Sequence, residues 1–101
     1  MPLFKVIISL DAVDDITEVF NYIAFEVMHP LTAERYREGI MKTIDSLACY
    51  ADLFAVSQHP SLQQLYGPDV RTTRYKKMTI VYSIVGKKVY VHRIMPGGLV
   101  L

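Results

Sequence analysis

Residues 70–96, VRTTRYKKMTIVYSIVGKKVYVHRIMP, repeat with a hydrophobic period of two, and this stretch decides the fold class. Three strand-like runs lie in it: VRTTRYKKM (70–78), TIVYSIV (79–85) and KVYVHRIM (88–95), the last two separated by a turn at Gly86-Lys87. Strands joined this closely form a consecutive antiparallel meander. The central run offers two inward sets, Ile80, Tyr82 and Ile84 or Val81, Ser83 and Val85, and the alternation alone does not choose between them.

Upstream of the meander the period becomes helical. Ile16, Val19, Phe20, Ile23, Ala24 and Val27 recur at spacings of three and four, which predicts one apolar stripe on an amphipathic core helix that His29-Pro30 ends. Asp11 reads as its N-cap, so the helix is expected to start at about residue 12, with Asp14, Asp15 and Glu18 in early turns where the helix dipole favours acids. A second helix is expected from Thr32 as cap, burying Tyr36, Ile40, Ile44 and Leu47. Two helices with so short a connection form an antiparallel hairpin. Residues 52–69, with His59-Pro60-Ser61 and Gly67-Pro68-Asp69, read as an irregular connection holding one short helical turn. Before the helices, residues 4–9 alternate and are rich in β-branched side chains, the pattern of a first strand. The order is therefore β-α-α-β-β-β: an α+β fold with a helical hairpin packed on a mainly antiparallel sheet, in a single domain over residues 1–101.

Composition narrows the function classes. No run of about 18 uncharged apolar residues is present, which argues against a transmembrane helix and any membrane partner. The beginning of the sequence lacks the basic start and small-residue cleavage site of a signal peptide, and Cys49 is the only cysteine, so a cytoplasmic protein without disulfides is expected. Charge is segregated along the chain. Through Asp69 all ten Asp and Glu face four Lys and Arg, whereas residues 70–101 hold seven Lys and Arg and no acid, so the two parts carry −6 and +7. Such a dipolar surface attracts nucleic acid or an acidic peptide to one side.

Nucleophile motifs, glycine-rich phosphate loops and metal-ligand spacings are not found, so neither a metal nor a cofactor is expected. His29, His59 and His92 fall in a helix end, a loop and a strand without a second ligand at suitable spacing. The basic side chains of the sheet are the binding candidates: Arg71, Arg74, Lys76, Lys77 and Arg93, with alternation able to place Arg74 and Lys76 on one strand face. Arg71 and Arg93 have a second reading as structural partners of helix acids such as Asp15 or Glu18. Tyr75, Tyr82 and His92 are accessory candidates, the tyrosines having an alternative as core residues with satisfied hydroxyls.

The segments VIISLDAVDDITEVFNYIA, HPLTAERYREGIMKTIDSL and DVRTTRYKKMTIVYSIVGKKVYVHRIMPG, in this order, resemble the RelE/ParE superfamily of type II toxin–antitoxin toxins, also termed plasmid stabilisation proteins. The most specific part is the sheet: Arg71 before a strand, a tyrosine-bearing strand ending I-V-Y-S-I, a tight turn, and V-x-V-x-R-I ending at Arg93-Ile94. The resemblance implies a toxin silenced by a cognate antitoxin whose C-terminal segment wraps over it, as a homodimer or a toxin–antitoxin hetero-oligomer. It implies one of two activities. The RelE-like branch is a ribosome-dependent mRNA endoribonuclease (an mRNA interferase), in which basic residues and often a C-terminal tyrosine act at the 2′-OH and phosphate. Here Thr79 stands where that branch tends to place a basic residue, and IMPGGLVL follows Arg93 without another ionisable side chain. The ParE-like branch is a binding inhibitor of DNA gyrase and needs no such constellation, so it is favoured, although the common R-I-L-H continuation is Arg93-Ile94-Met95-Pro96 here. A third reading is a non-toxic antitoxin-binding module whose apolar end, Leu99-Val100-Leu101, covers its own sheet or a partner.

Overall fold

The computed structural model describes residues 3–96, so the expectation for Leu99-Val100-Leu101 lies outside the described residues. Strand β1 (Lys5–Ile8) leads into helix α1 (Leu10–Asn21), a π-helical turn (Tyr22–Glu26) and helix α2 (Pro30–Tyr50). A short 3-10 turn (Ala51–Leu53) and helix α3 (Pro60–Tyr66) precede strands β2 (Arg71–Tyr75), β3 (Met78–Val85) and β4 (Lys88–Pro96). The sheet order is β1-β4-β3-β2. The last three strands form the expected antiparallel meander, and β1 adds to β4 in parallel, Val6 opposite Val89. The fold is α+β with a mixed sheet.

Both helix starts differ from the sequence expectation. Helix α1 begins at Leu10 because Ser9, rather than Asp11, caps it: the Ser9 Oγ accepts the Ala12 N–H at 3.0 Å and donates to the His92 carbonyl at 2.8 Å. The same hydroxyl thus caps the helix and fastens it to β4, which an exposed Asp11 could not do. Helix α2 begins at Pro30, with His29 in the cap position, rather than from Thr32. Proline suits a first helical position, where its missing N–H would have no partner and its φ is already helical. Between the helices, Met28 adopts a left-handed φ of 64° that reverses the chain.

The hairpin packs on one sheet face around Ile16, Ile40, Ile44, Ile80, Tyr82 and Val91. The opposite face is covered too: Leu62 of α3 packs with Val70 and Val81, flanked by Tyr66 and Met95. The two alternating sets of β3 are therefore not alternatives, since Ile80 and Tyr82 face the hairpin while Val81 and Ser83 are buried on the other side. A strand buried on both faces carries apolar residues at successive positions, as Ile80-Val81-Tyr82 do, with Thr79 and Ser83 buried beside them. The connection to the sheet contains a seven-residue helix beside the 3-10 turn, more than the single helical turn expected.

A β-bulge interrupts β3–β4: Val81 pairs with Arg93 but Tyr82 with Val91, which leaves His92 as the extra residue. The slip resets the alternation of β4. Val89 and Val91 enter the hairpin core, and Ile94, three residues on, joins them.

Candidate functional site

The basic candidates do not gather into one pocket. Arg71 opens β2 and turns towards the connection, where its Nη1 donates to the Phe54 carbonyl and, at 3.4 Å, to that of Asp52. It clasps a loop. Arg93 forms a two-pronged pair with Asp15 of α1, Nε to Oδ2 at 2.7 Å and Nη2 to Oδ1 at 3.0 Å, while Asp15 Oδ2 also accepts the Ile94 N–H at 2.9 Å. The hydrogen bond to Asp15 holds the Arg93 guanidinium still further above its ordinary pKa. Of the two readings for Arg93, the structural partner of a helix acid is the one observed. For Arg71 the partners are backbone carbonyls, not an acid.

The β2–β3 hairpin carries the rest. The first strand-like run was expected to continue to Met78, with Arg74 and Lys76 on one strand face, but β2 stops at Tyr75 and Lys76-Lys77 form the turn. Lys76 takes a left-handed φ of 51°, and its Nζ lies 5.3 Å from the Tyr36 ring centroid and 5.6 Å from that of Tyr75. These separations suit a cation–π contact. Arg74 and Lys77 are exposed.

The accessory residues are framework. Tyr82 is fully buried and its hydroxyl donates to the Ala51 carbonyl at 2.6 Å; burial pushes the phenol up to about 12, against the opposing pull of Arg71. Tyr75 meets Tyr36 edge to face at 5.5 Å and sits over Gly39 of α2, where a side chain of any size would collide with its ring. His92 lies on the α3 face, stacked on Tyr66 at 4.4 Å, with Nε2 2.9 Å from the Ser83 Oγ; burial lowers its pKa. The Tyr82 hydroxyl and His92 Nε2 are hydrogen-bonded within the framework, whereas Tyr75 lies beside Lys76 with its ring held between Tyr36 and Gly39.

A feature not anticipated from the sequence is a groove of about 1050 Å³ between the hairpin and the end of the sheet. Its helical wall includes Val19, Tyr22, Ile23, Val27 and Tyr36, and its sheet wall Met78, Ile94, Met95 and Pro96. Glu18 and Asp15 line it from the helix side, Lys77 and Arg93 from the sheet side. The apolar stripe of α1 was expected to be core along its whole length. Instead Ile16 and Ala24 are buried, whereas Val27, just beyond the π-helical turn, is 43% exposed. Tyr22, an apolar residue off the stripe that lines the groove and is 62% exposed, was the available signal.

Comparison with curated protein sequences finds no significant match. Among solved structures, a chain described as the chromosomal ParDE toxin–antitoxin system from P. aeruginosa superposes with a TM-score of 0.71 at 18% identity, over 93% of this chain and 96% of that one. At that identity the likeness speaks for the fold. The family model for the ParE toxin of the type II toxin–antitoxin system parDE matches residues 6–98, which takes in every strand and helix described above but for the first residue of β1, and the chain accordingly belongs to the ParE toxin family.

Proposed function

We propose that this toxin acts in the cytoplasm by inhibiting DNA gyrase, and that its cognate antitoxin silences it by laying an amphipathic segment into the groove between hairpin and sheet. Gyrase inhibition is the general role of the family that matches the chain. The observation that carries this choice over RNA cleavage is the state of the ionisable groups on the basic sheet. Cleavage at a 2′-OH needs a proton acceptor beside preorganised cations. Here Arg93 is committed to Asp15, Arg71 to two carbonyls and the Tyr82 hydroxyl to Ala51, while Tyr75 is wedged against α2. A binding inhibitor asks for none of these groups.

The groove supports the second half of the reading. A segment that is disordered alone and folds on binding can cover such a surface, its apolar residues on Val19, Ile23 and Met78 and its charges opposite Lys77 and Glu18. Capture there makes a toxin–antitoxin hetero-oligomer the resting form. Among the described residues no helix is long and apolar enough to cross a membrane.

The test pairs two assays on the purified chain: gyrase supercoiling of relaxed plasmid, and primer extension on mRNA bound to ribosomes. Loss of supercoiling with intact transcripts is expected. Cuts at ribosome-bound codons with gyrase unaffected would overturn the proposal, and inactivity in both assays would make the chain an antitoxin-binding module without toxicity.

A further inference from the structure

The two hairpins of the meander have the same loop length, and at the first loop position the same backbone requirement, yet the sequence meets it differently. Across β3–β4, Val85 faces Lys88, and Gly86 takes a φ of 61° in the two-residue loop. Across β2–β3, Tyr75 faces Met78, and Lys76 takes a φ of 51°. Glycine adopts this left-handed backbone freely, whereas a side chain with a Cβ is strained there. A lysine is thus held where a glycine would be relaxed, and strain that the surroundings maintain marks sites of function.

The surroundings do maintain it. The Lys76 ammonium rests against the rings of Tyr36 and Tyr75, which meet edge to face at 88°, and Tyr75 is wedged over Gly39 of α2. Arg74 on one side makes no hydrogen bond or ion pair among the described residues, and Lys77 on the other lies exposed at the mouth of the groove. The ion pairs among the described residues are Arg37 with Glu34 and Arg93 with Asp15. The hairpin tip therefore presents three positive charges that no acid among the described residues pairs with.

We propose that this tip, Arg74, Lys76 and Lys77, is a contact surface for the phosphates of duplex DNA. Cations alone suffice for a duplex backbone. Single-stranded RNA is read by bases stacking on open aromatic faces, and both rings at the tip are already engaged by Lys76 and by each other. The inference rests on the gyrase reading for its setting, because gyrase acts on duplex DNA.

The test is fluorescence anisotropy of the full chain with a labelled DNA duplex, without gyrase, over a range of salt. Three phosphate contacts predict a slope of log affinity against log salt of about −2.7, or about 40-fold tighter binding on going from about 200 to about 50 mM. Lys76→Gly, whose backbone suits glycine, should reduce the slope to about −1.8 and the gain to about 12-fold, and Arg74→Gln should do the same. Lys87→Gln with Lys88→Gln, at the other end of the sheet, should leave it unchanged. An unchanged slope in Lys76→Gly and Arg74→Gln, an equal loss in the Lys87/Lys88 variant, or tighter binding to single-stranded RNA than to the duplex overturns the proposal. Gyrase inhibition with an unaltered slope would remove only this inference, and tip-dependent DNA binding by a chain that spares gyrase would remove only the gyrase reading.

Discussion

Asp15 is the side chain whose removal separates two ways of being held. Its carboxylate is nearly enclosed, with 11% of the side chain exposed, and it accepts from two nitrogens of Arg93 and from the Ile94 N–H. Asp15→Ala deprives both partners at once. The Ile94 N–H is buried, and leaving such a donor unmet costs about 2 kcal/mol. Arg93, 38% exposed, can turn to water, so the lost ion pair adds no more than about 1 kcal/mol once solvent screening is allowed for. The total, about 3 kcal/mol, lowers the melting temperature of a domain this size by roughly 15 °C. Asp15→Asn removes the charge but keeps an oxygen for the Ile94 N–H, and unlike a change at Arg93 it strands no enclosed carboxylate, so about 1 kcal/mol and roughly 5 °C are expected. The assay is urea unfolding followed by far-ultraviolet circular dichroism for the two variants beside the parent chain. Equal destabilisation by the two single changes would refute the reasoning, since the backbone bond would then contribute nothing.

Three further outcomes follow from the same geometry. Gly39→Ala, which gains about 1 kcal/mol at an ordinary helix position, should destabilise by about 1–3 kcal/mol here through collision with Tyr75, and the sign should revert in a Tyr75→Ala background, as thermal melts will show. Tyr82 keeps its proton up to about 12 in the folded state while the unfolded chain releases it near 10, so stability present below that range should be lost as pH climbs through it. Tyr82→Phe should abolish that alkaline increment and cost about 1 kcal/mol at neutral pH, which denaturant midpoints at both pH values can measure. His92 behaves in the opposite sense: burial lowers its folded pKa, so the unfolded chain takes the proton first and stability present above about 6.5 is lost on acidification. In His92→Gln the fall in urea midpoint between neutral and mildly acidic buffer should shrink; an undiminished fall would assign the acid sensitivity elsewhere.

The meander was legible because its signals are local. Alternating β-branched residues and a glycine at Gly86 specify strands and a turn within a few positions of one another. The parallel docking of β1 on β4 was not, since it joins residues more than eighty positions apart and neither strand encodes its partner. The covering of the second sheet face had a faint trace in the successive apolar residues Ile80-Val81-Tyr82 of β3 and in Leu62 and Tyr66, four apart in a helix too short for its period to stand out. At the candidate site, the Arg93–Asp15 pair was among the readings a sequence permits, because a half-buried cation needs a counter-charge. The groove escaped notice because apolar periodicity reports that a face is sticky, not whether the fold supplies something to cover it. The end of β2 escaped because Lys76 is an unfavourable residue for the left-handed turn it occupies.

The parallel pairing also orders events in time. A ribosome releases β1 first, but its hydrogen-bonding neighbour in the sheet is β4, the last of the described strands, which also brings Val89, Val91 and Ile94 to the hairpin core. A nascent chain ending before Lys88 therefore has a first strand with nothing to pair with and a core missing one wall. Because β4 contributes both sheet pairing and core, folding must await the emergence of β4. In a member of a toxin family, a topology in which β1 waits for β4 sets the moment at which a folded toxin can first exist.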